Sequence, residues 1–282
     1  MDKGKVSIAL SMVLFVLLMS LVLSSGGLGT ILPPPDLRRI ASLYLGTTYT
    51  PWRPEFSVMS PEAVTAIVWD YRGLDTLFET VVFYLAIIGS IAIMRGIYAK
   101  KKEIDLNKAG LSLIVKSVTK ITLGMIIAVA ASIALHGHLT PGGGFQGGAS
   151  AAVAPLLMLV VFSSLYMEMK GVTKNTMLML RSIGLLGVGI TAFLAIIIAY
   201  TAGGTAFVFQ NQPKYVYQDH TRLQLTGLPA SINGVLISGT LFFFNLFEML
   251  AVAAGFTIIF LLLAVPEEEV LEVIRGEESG GH

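Results

Sequence analysis

The chain has 282 residues, 54% hydrophobic and 13% charged, with a mean hydropathy of +0.77 and a formal net charge of +1. Soluble domains carry about 25% charged residues, so a soluble globule is excluded, and a near-neutral balance without a basic stripe excludes a nucleic-acid partner. The lack of cysteine excludes disulfides, thiolate-held iron–sulfur clusters and the usual structural zinc sites in this chain.

Runs of about 18 or more apolar residues read as membrane spans, and about six recur here, an all-α polytopic architecture in the lipid bilayer. Residues 6–24 form the first, after Lys3 and Lys5. The stretch exceeds the roughly 7–15 apolar residues of a signal sequence and reads as a retained helix. Residues 25–60 contain Pro33, Pro34, Pro35, Pro51 and Pro54 with Tyr49 and Trp52, an irregular loop whose aromatic residues suit the membrane–water boundary. Ser60-Pro61-Glu62 predicts the start of the second span, with serine capping and proline in the first helical position. Further spans are expected near 111–135, 147–167, 177–200 and 234–265, with a glycine-rich break between the third and fourth. A polar stretch, 201–233, separates the fifth from the sixth.

With the N-terminus inside, ten basic residues fall in inside segments (Lys3, Lys5, Arg95, Lys100, Lys101, Lys102, Lys108, Lys170, Lys174, Arg275) and five in outside ones (Arg38, Arg39, Arg53, Lys214, Arg222). The positive-inside rule then puts both termini in the cytoplasm. The last segment, 267–282, is acidic and reads as a solvated tail or a docking segment for a cytoplasmic partner.

Charged residues within spans are functional candidates. In the second span the purely apolar run Val81–Met94 is 14 residues, short of the roughly 20 a span needs, so the preceding turns with Asp70, Arg72, Asp75 and Glu79 approach the hydrocarbon. Arg72, Asp75 and Glu79 are spaced three and four apart and share a helical face. They read either as charges in the headgroup region or as an arginine facing two carboxylates, one left to bind a proton or a cation. Lys116 and Lys120, one turn apart, either snorkel to the headgroups or face other helices. Glu248 lies near the middle of the sixth span with Asn245 one turn earlier. A lone carboxylate there is protonated, ion-bound or paired across helices, or serves as neutral helix–helix glue. His136 and His138 flank the glycine-rich turn, where a histidine can pass protons; two histidines alone are a weak metal signal.

The segment Gly137-His138-Leu139-Thr140-Pro141-Gly142-Gly143-Gly144-Phe145-Gln146-Gly147-Gly148 closely resembles the signature of the MnhB component of Mrp-type multisubunit sodium/proton antiporters. The earlier Asp70-Tyr71-Arg72-Gly73-Leu74-Asp75-Thr76-Leu77-Phe78-Glu79-Thr80 is similar to the C-terminal end of MrpA, the large component of those antiporters, and to a small separate component of membrane-bound hydrogenases. The resemblance divides the chain into a two-helix piece (1–100), a basic junction (101–109), a four-helix piece (110–266) and the tail (267–282).

Such a fusion resembles the membrane arm of ferredoxin-linked archaeal respiratory complexes, of the sulfane sulfur reductase or hydrogenase type. It implies a multi-pass cell-membrane protein that helps couple electron transfer to Na⁺/H⁺ translocation. Its partners would be Mrp-like antiporter subunits and complex I-like membrane and redox subunits, which alone would carry the iron–sulfur clusters; transported Na⁺ would be cargo. The relay groups expected are Asp75, Glu79 and Glu248, tuned by Arg72, with Lys116, Lys120 and His136 completing a path. Two other readings stay open: membership of a stand-alone Mrp antiporter, and a scaffold joining redox and pumping arms. A catalytic role for the chain alone has no nucleophile–base set, nucleotide loop or cofactor motif behind it.

Overall fold

The computed structural model describes residues 3–26, 38–94, 110–218, 221–267 and 270–271. The basic junction, most of the acidic tail, Pro33–Pro35, His220 and His282 lie outside the described residues. The chain divides into two compact units, 1–42 and 43–282. The first holds α1 (Lys3–Ser24) and the beginning of α2 (Arg39–Thr48). Six described helices are long and apolar enough to cross a membrane, and the chain is a multi-pass, mostly α-helical membrane protein.

In the second unit, a loop with a 3₁₀ turn at Pro54–Phe56 leads to α3 (Ala63–Thr65), which Glu62 caps by accepting the N–H groups of Val64 and Thr65. The predicted cap, Ser60, is displaced by two residues. Its hydroxyl donates instead to the His138 carbonyl at 2.8 Å, a long-range partner that local sequence does not show. A π-helical turn follows (Ala66–Tyr71), then α4 (Gly73–Ile93) with Arg72 at its start. The π turn widens the helix and buries Trp69, and such turns cluster at functional sites.

Helix α5 (Leu113–Leu135) is capped by Ser112. Helix α6 (Gly144–Val161) begins inside the glycine-rich segment, three residues before the predicted fourth span. The short α7 (Ser164–Met169) leads to α8 (Lys174–Ala202), capped by Thr173 and closed by left-handed Gly203. Residues 203–240 carry two small hairpins, Lys214–Gln218 with Thr221–Leu225 (β1, β2) and Ser231–Ile232 with Val235–Leu236 (β3, β4). Asn233 and Gly234 both have positive φ, 50° and 81°, the geometry of a two-residue hairpin turn. The last described span, α9 (Leu241–Leu263), therefore starts seven residues after the predicted 234.

Helix α9 is the hub, packed on α6 and α8, with α5 against α6. Small residues make this close approach possible. A Cβ on Gly148 would come within 2.7 Å of Val252, and one on Gly184 within 2.6 Å of the Ala251 backbone. Between helices in lipid, where apolar burial drives little, such close van der Waals contact is a main source of association. The polar stretch between α8 and α9 is also structural. Buried Asn211 donates to the Val58 carbonyl at 2.7 Å, and Gln212 to the carbonyls of Pro54 and Ser57.

Candidate functional site: a carboxylate cavity at the start of α6

The Pro141–Gly144 turn reverses the chain between α5 and α6. Gly142 and Gly143 have φ of +156° and +145°, where a side chain would be strained. The turn is held from the α3 side: Thr65 donates to the Gly137 carbonyl at 2.6 Å, and the Glu62 N–H donates to His138 O at 3.2 Å. His138, 2% exposed, donates Nε2 to the Leu236 carbonyl at 2.9 Å and leaves Nδ1 without a partner. Burial holds its pKa below the ordinary histidine value, against the pull of that bond.

This arrangement aims the N-terminus of α6 at α9. A helix start presents unbonded N–H groups and a partial positive charge, and α9 supplies an acceptor. Asn245 Oδ1 accepts from the Gly144 N–H at 3.3 Å. Glu248 Oε2 lies against Gly144 in the first turn of α6, and Glu248 shares the cavity wall with Trp69 and Phe145. Glu248 is 7% exposed and Asn245 1%. Trp69 is fixed by a parallel stack on Phe244, with centroids 4.3 Å apart and planes 7° off. Gly144 must be glycine, because a Cβ there would lie 2.5 Å from Glu248 Oε2 and 2.6 Å from the Asn245 carbonyl oxygen.

These groups line a cavity of about 310 Å³, with Thr65, Thr76, Gln146 and Glu79 completing its polar wall. Glu79 and Glu248 both line it, so two carboxylates share one space. Glu79 also lines an open groove along α4 with Arg72, Asp75 and Phe83. It therefore links the buried carboxylate to the surface of the helix. In that groove Arg72 Nε donates to Asp75 at 2.7 Å. The pair is 66% and 52% exposed, so it contributes little to the fold by itself.

A buried carboxylate needs compensation. For Glu248 the helix start supplies part of it, and a proton or a cation would supply the rest. Among the described residues no three His, Asp or Glu side chains cluster. A cation in this cavity would then complete its shell with neutral oxygens, such as those of Thr65 and Thr76, and water.

The structure brings Glu79 and Glu248 together and places Arg72 and Asp75 in the adjoining groove. Lys116, Lys120 and His136 line neither space. Lys120 is exposed on α5, and Lys116 is half-buried near its start. His136 is exposed at the end of α5, with Nδ1 3.1 Å from the Ser132 carbonyl. Glu248 falls in the first half of α9 rather than mid-span, because residues before 241 form the hairpins. Asp70 does not line the groove; both its carboxylate oxygens accept from Lys214 Nζ at 3.0 Å.

Sequence reasoning did not single out Trp69 or the buried Arg181. Trp69 had no spacing signal, since the π turn shifts it off the helical pattern. Arg181 did have one, an isolated charge within an apolar run.

Residues 114–258 match the family described as a domain related to the MnhB subunit of the Na⁺/H⁺ antiporter, more than half of the chain. The chain belongs to this MnhB-related family. A 27% identical relative is an uncharacterized protein of Methanocaldococcus jannaschii, aligned over 237 residues, 78% of this chain and 83% of that protein. Among solved structures, a chain of the membrane-bound sulfane sulfur reductase, an archaeal respiratory membrane complex, superposes with a TM-score of 0.60 at 25% identity. The match covers 92% of this chain and 99% of that one. A chain of the Mrp complex from Dietzia sp. superposes with a TM-score of 0.52 at 15% identity, over 95% of this chain but 27% of that one, a likeness of fold.

The MnhB-related segment contributes Glu248, Asn245 and the glycine-rich turn. Trp69 and Glu79 come from the residues before it. The cavity is complete only with both parts of the chain. The protein is thus an antiporter-like membrane subunit.

Proposed function

We propose that the chain is a subunit of the Na⁺/H⁺ antiporter-like module of a ferredoxin-linked respiratory complex of the sulfane sulfur reductase type, where the Glu79–Glu248 cavity is a station for translocated Na⁺ or protons. The observation that carries this reading is the buried Glu248 at the start of α6, facing Glu79 across a cavity that continues into an open groove. A carboxylate held this way can exchange a proton for a hard cation with oxygen ligands. Glu79, exposed to the groove, hands the ion on, and Arg72 holds Asp75 at the groove's mouth. Support comes from the near full-length likeness to a sulfane sulfur reductase chain, since that likeness takes in both parts that build the cavity.

In this reading the partners are the other membrane and redox subunits of such a complex, and the chain itself provides no redox chemistry. Both termini face the cytoplasm, as the lysine and arginine distribution favours. The test is transport by the intact complex in inside-out vesicles. Glu248→Gln and Glu79→Gln should each slow substrate-driven ²²Na⁺ or proton movement roughly tenfold or more, because each removes the charge while keeping shape, with assembly retained. Asp75→Asn should have a smaller effect. Unchanged transport with all three neutralised refutes the proposal.

A further inference from the structure

Arg181, two turns into α8, has no part in the path above and is among the largest fully buried side chains, 0% exposed. Its Nη1 donates to the Ala251 carbonyl at 3.0 Å, while Nε and Nη2 have no partner. The guanidinium lies over the Phe83 ring, 4.6 Å from its centroid, and 5.3 Å from that of Tyr84. Among the described residues no acidic side chain forms an ion pair with it. An arginine stays protonated in proteins, so this is a fixed, weakly neutralised cation inside the helix bundle.

Two helices set its position relative to the carboxylates. Phe83 follows Glu79 by one turn on α4. Ala251 and Gly255 follow Glu248 by one and two turns on α9, on the same face. By helical rise the guanidinium therefore lies roughly 6–10 Å further along the bundle than the carboxylate pair. A layer of rings stands between them: Phe83 packs against Phe256 at 5.2 Å and against Phe145, which lines the cavity, at 6.4 Å. A Cβ on Gly255 would overlap Arg181 Nη1, so the guanidinium sits directly on the α9 backbone.

We propose that Arg181 is a fixed-charge barrier that stops cations from running past the Glu79–Glu248 cavity through this chain's own helix bundle, so that they leave by Glu79 and the α4 groove. The inference rests on reading the cavity as a cation station. A positive charge at this distance in a medium of low dielectric lowers the local cation population by about tenfold to a hundredfold, the device by which an arginine excludes cations from other membrane pores. The aromatic layer adds a steric seal. A protein that hands ions sideways needs such a stop, since a through-route would leak.

The experiment compares Arg181→Gln, Arg181→Lys and Gly255→Ala in the intact complex, purified and reconstituted in liposomes, with passive ²²Na⁺ and proton leak read without redox substrate. R181Q should leak about tenfold more than wild type, and R181K, which keeps the charge, should stay tight. An assembled R181Q as tight as wild type overturns the proposal, as does R181K leaking like R181Q. If R181Q does not assemble, G255A decides, since its methyl displaces the guanidinium and leaves the charge. A raised leak supports the barrier, and wild-type tightness overturns it. Driven transport by E248Q, measured in parallel, separates the two readings. A leaky R181Q with a fully active E248Q would refute the carboxylate station alone, and a tight R181Q with an inactive E248Q would refute only the barrier.

Discussion

Replacing Gly144 by alanine tests the geometry on which the cavity depends. The added methyl would meet Glu248 Oε2 at 2.5 Å, the Asn245 carbonyl oxygen at 2.6 Å and Glu248 Cβ at 2.6 Å, against 3.4–4 Å for ordinary contact. Helices α6 and α9 must therefore part by about 1 Å where they pack most closely. Overpacking of this kind costs about 1–3 kcal/mol. The upper half of that range applies, because the carbonyl oxygen and Cβ cannot swing aside as a flexible side-chain tip could. Separation would also lengthen the Gly144–Asn245 hydrogen bond, already 3.3 Å. For a unit of this size, about 2–3 kcal/mol corresponds to a loss of roughly 4–12 °C in melting temperature. The assay is thermal unfolding of the detergent-purified protein, with Gly124→Ala as control. Gly124 has nothing within 4 Å of a built Cβ and sits mid-helix in α5, so its replacement should be neutral or stabilising by up to about 1 kcal/mol. A G144A protein as stable as G124A would refute the placement of Glu248 and Asn245 at the start of α6.

Two further outcomes follow from the same structure. Trp69→Phe keeps an aromatic ring on Phe244 but shrinks a fully buried side chain, and should cost about 0.5–3 kcal/mol. Trp69→Ala should cost about 3–5 kcal/mol. Thermal unfolding reads both, and a W69A protein as stable as wild type would contradict the burial of Trp69. Burial raises the Asp70 pKa above 3.8 despite Lys214 beside it. Its contribution is therefore fully present below pH 3.8 and is lost as pH rises through the raised value. Asp70→Asn should flatten that part of the stability–pH profile, and an unchanged slope would remove Asp70 as its source.

Local pattern was enough to reveal the helices. Apolar runs of span length depend only on composition within a window. Where a partner lies far away in sequence, the pattern failed. Ser60 reads as a cap, yet its hydroxyl goes to His138. Residues 144–146 read as a break, yet they form the first turn of α6, because the Asn245 side chain, 101 positions away, accepts the Gly144 N–H. The sixth span was read from 234, yet Asn233 and Gly234 turn a hairpin there and α9 starts later.

The sequence by itself determined that this chain crosses a membrane several times and that Glu248, Glu79, Asp75 and Arg72 are unusual charges there, because the cost of a charge in hydrocarbon is set by residue type and run length. Only the tertiary structure decided which of them meet. The π turn at Ala66–Tyr71 rotates Trp69 inward, and the glycine turn aims α6 at α9. As a result Glu79 and Glu248, 169 positions apart, share a cavity, while Lys116, Lys120 and His136 stand elsewhere. The same packing buried Arg181 against α9, where the proximity of three helices, and no spacing within any one of them, places a positive charge beyond the carboxylates.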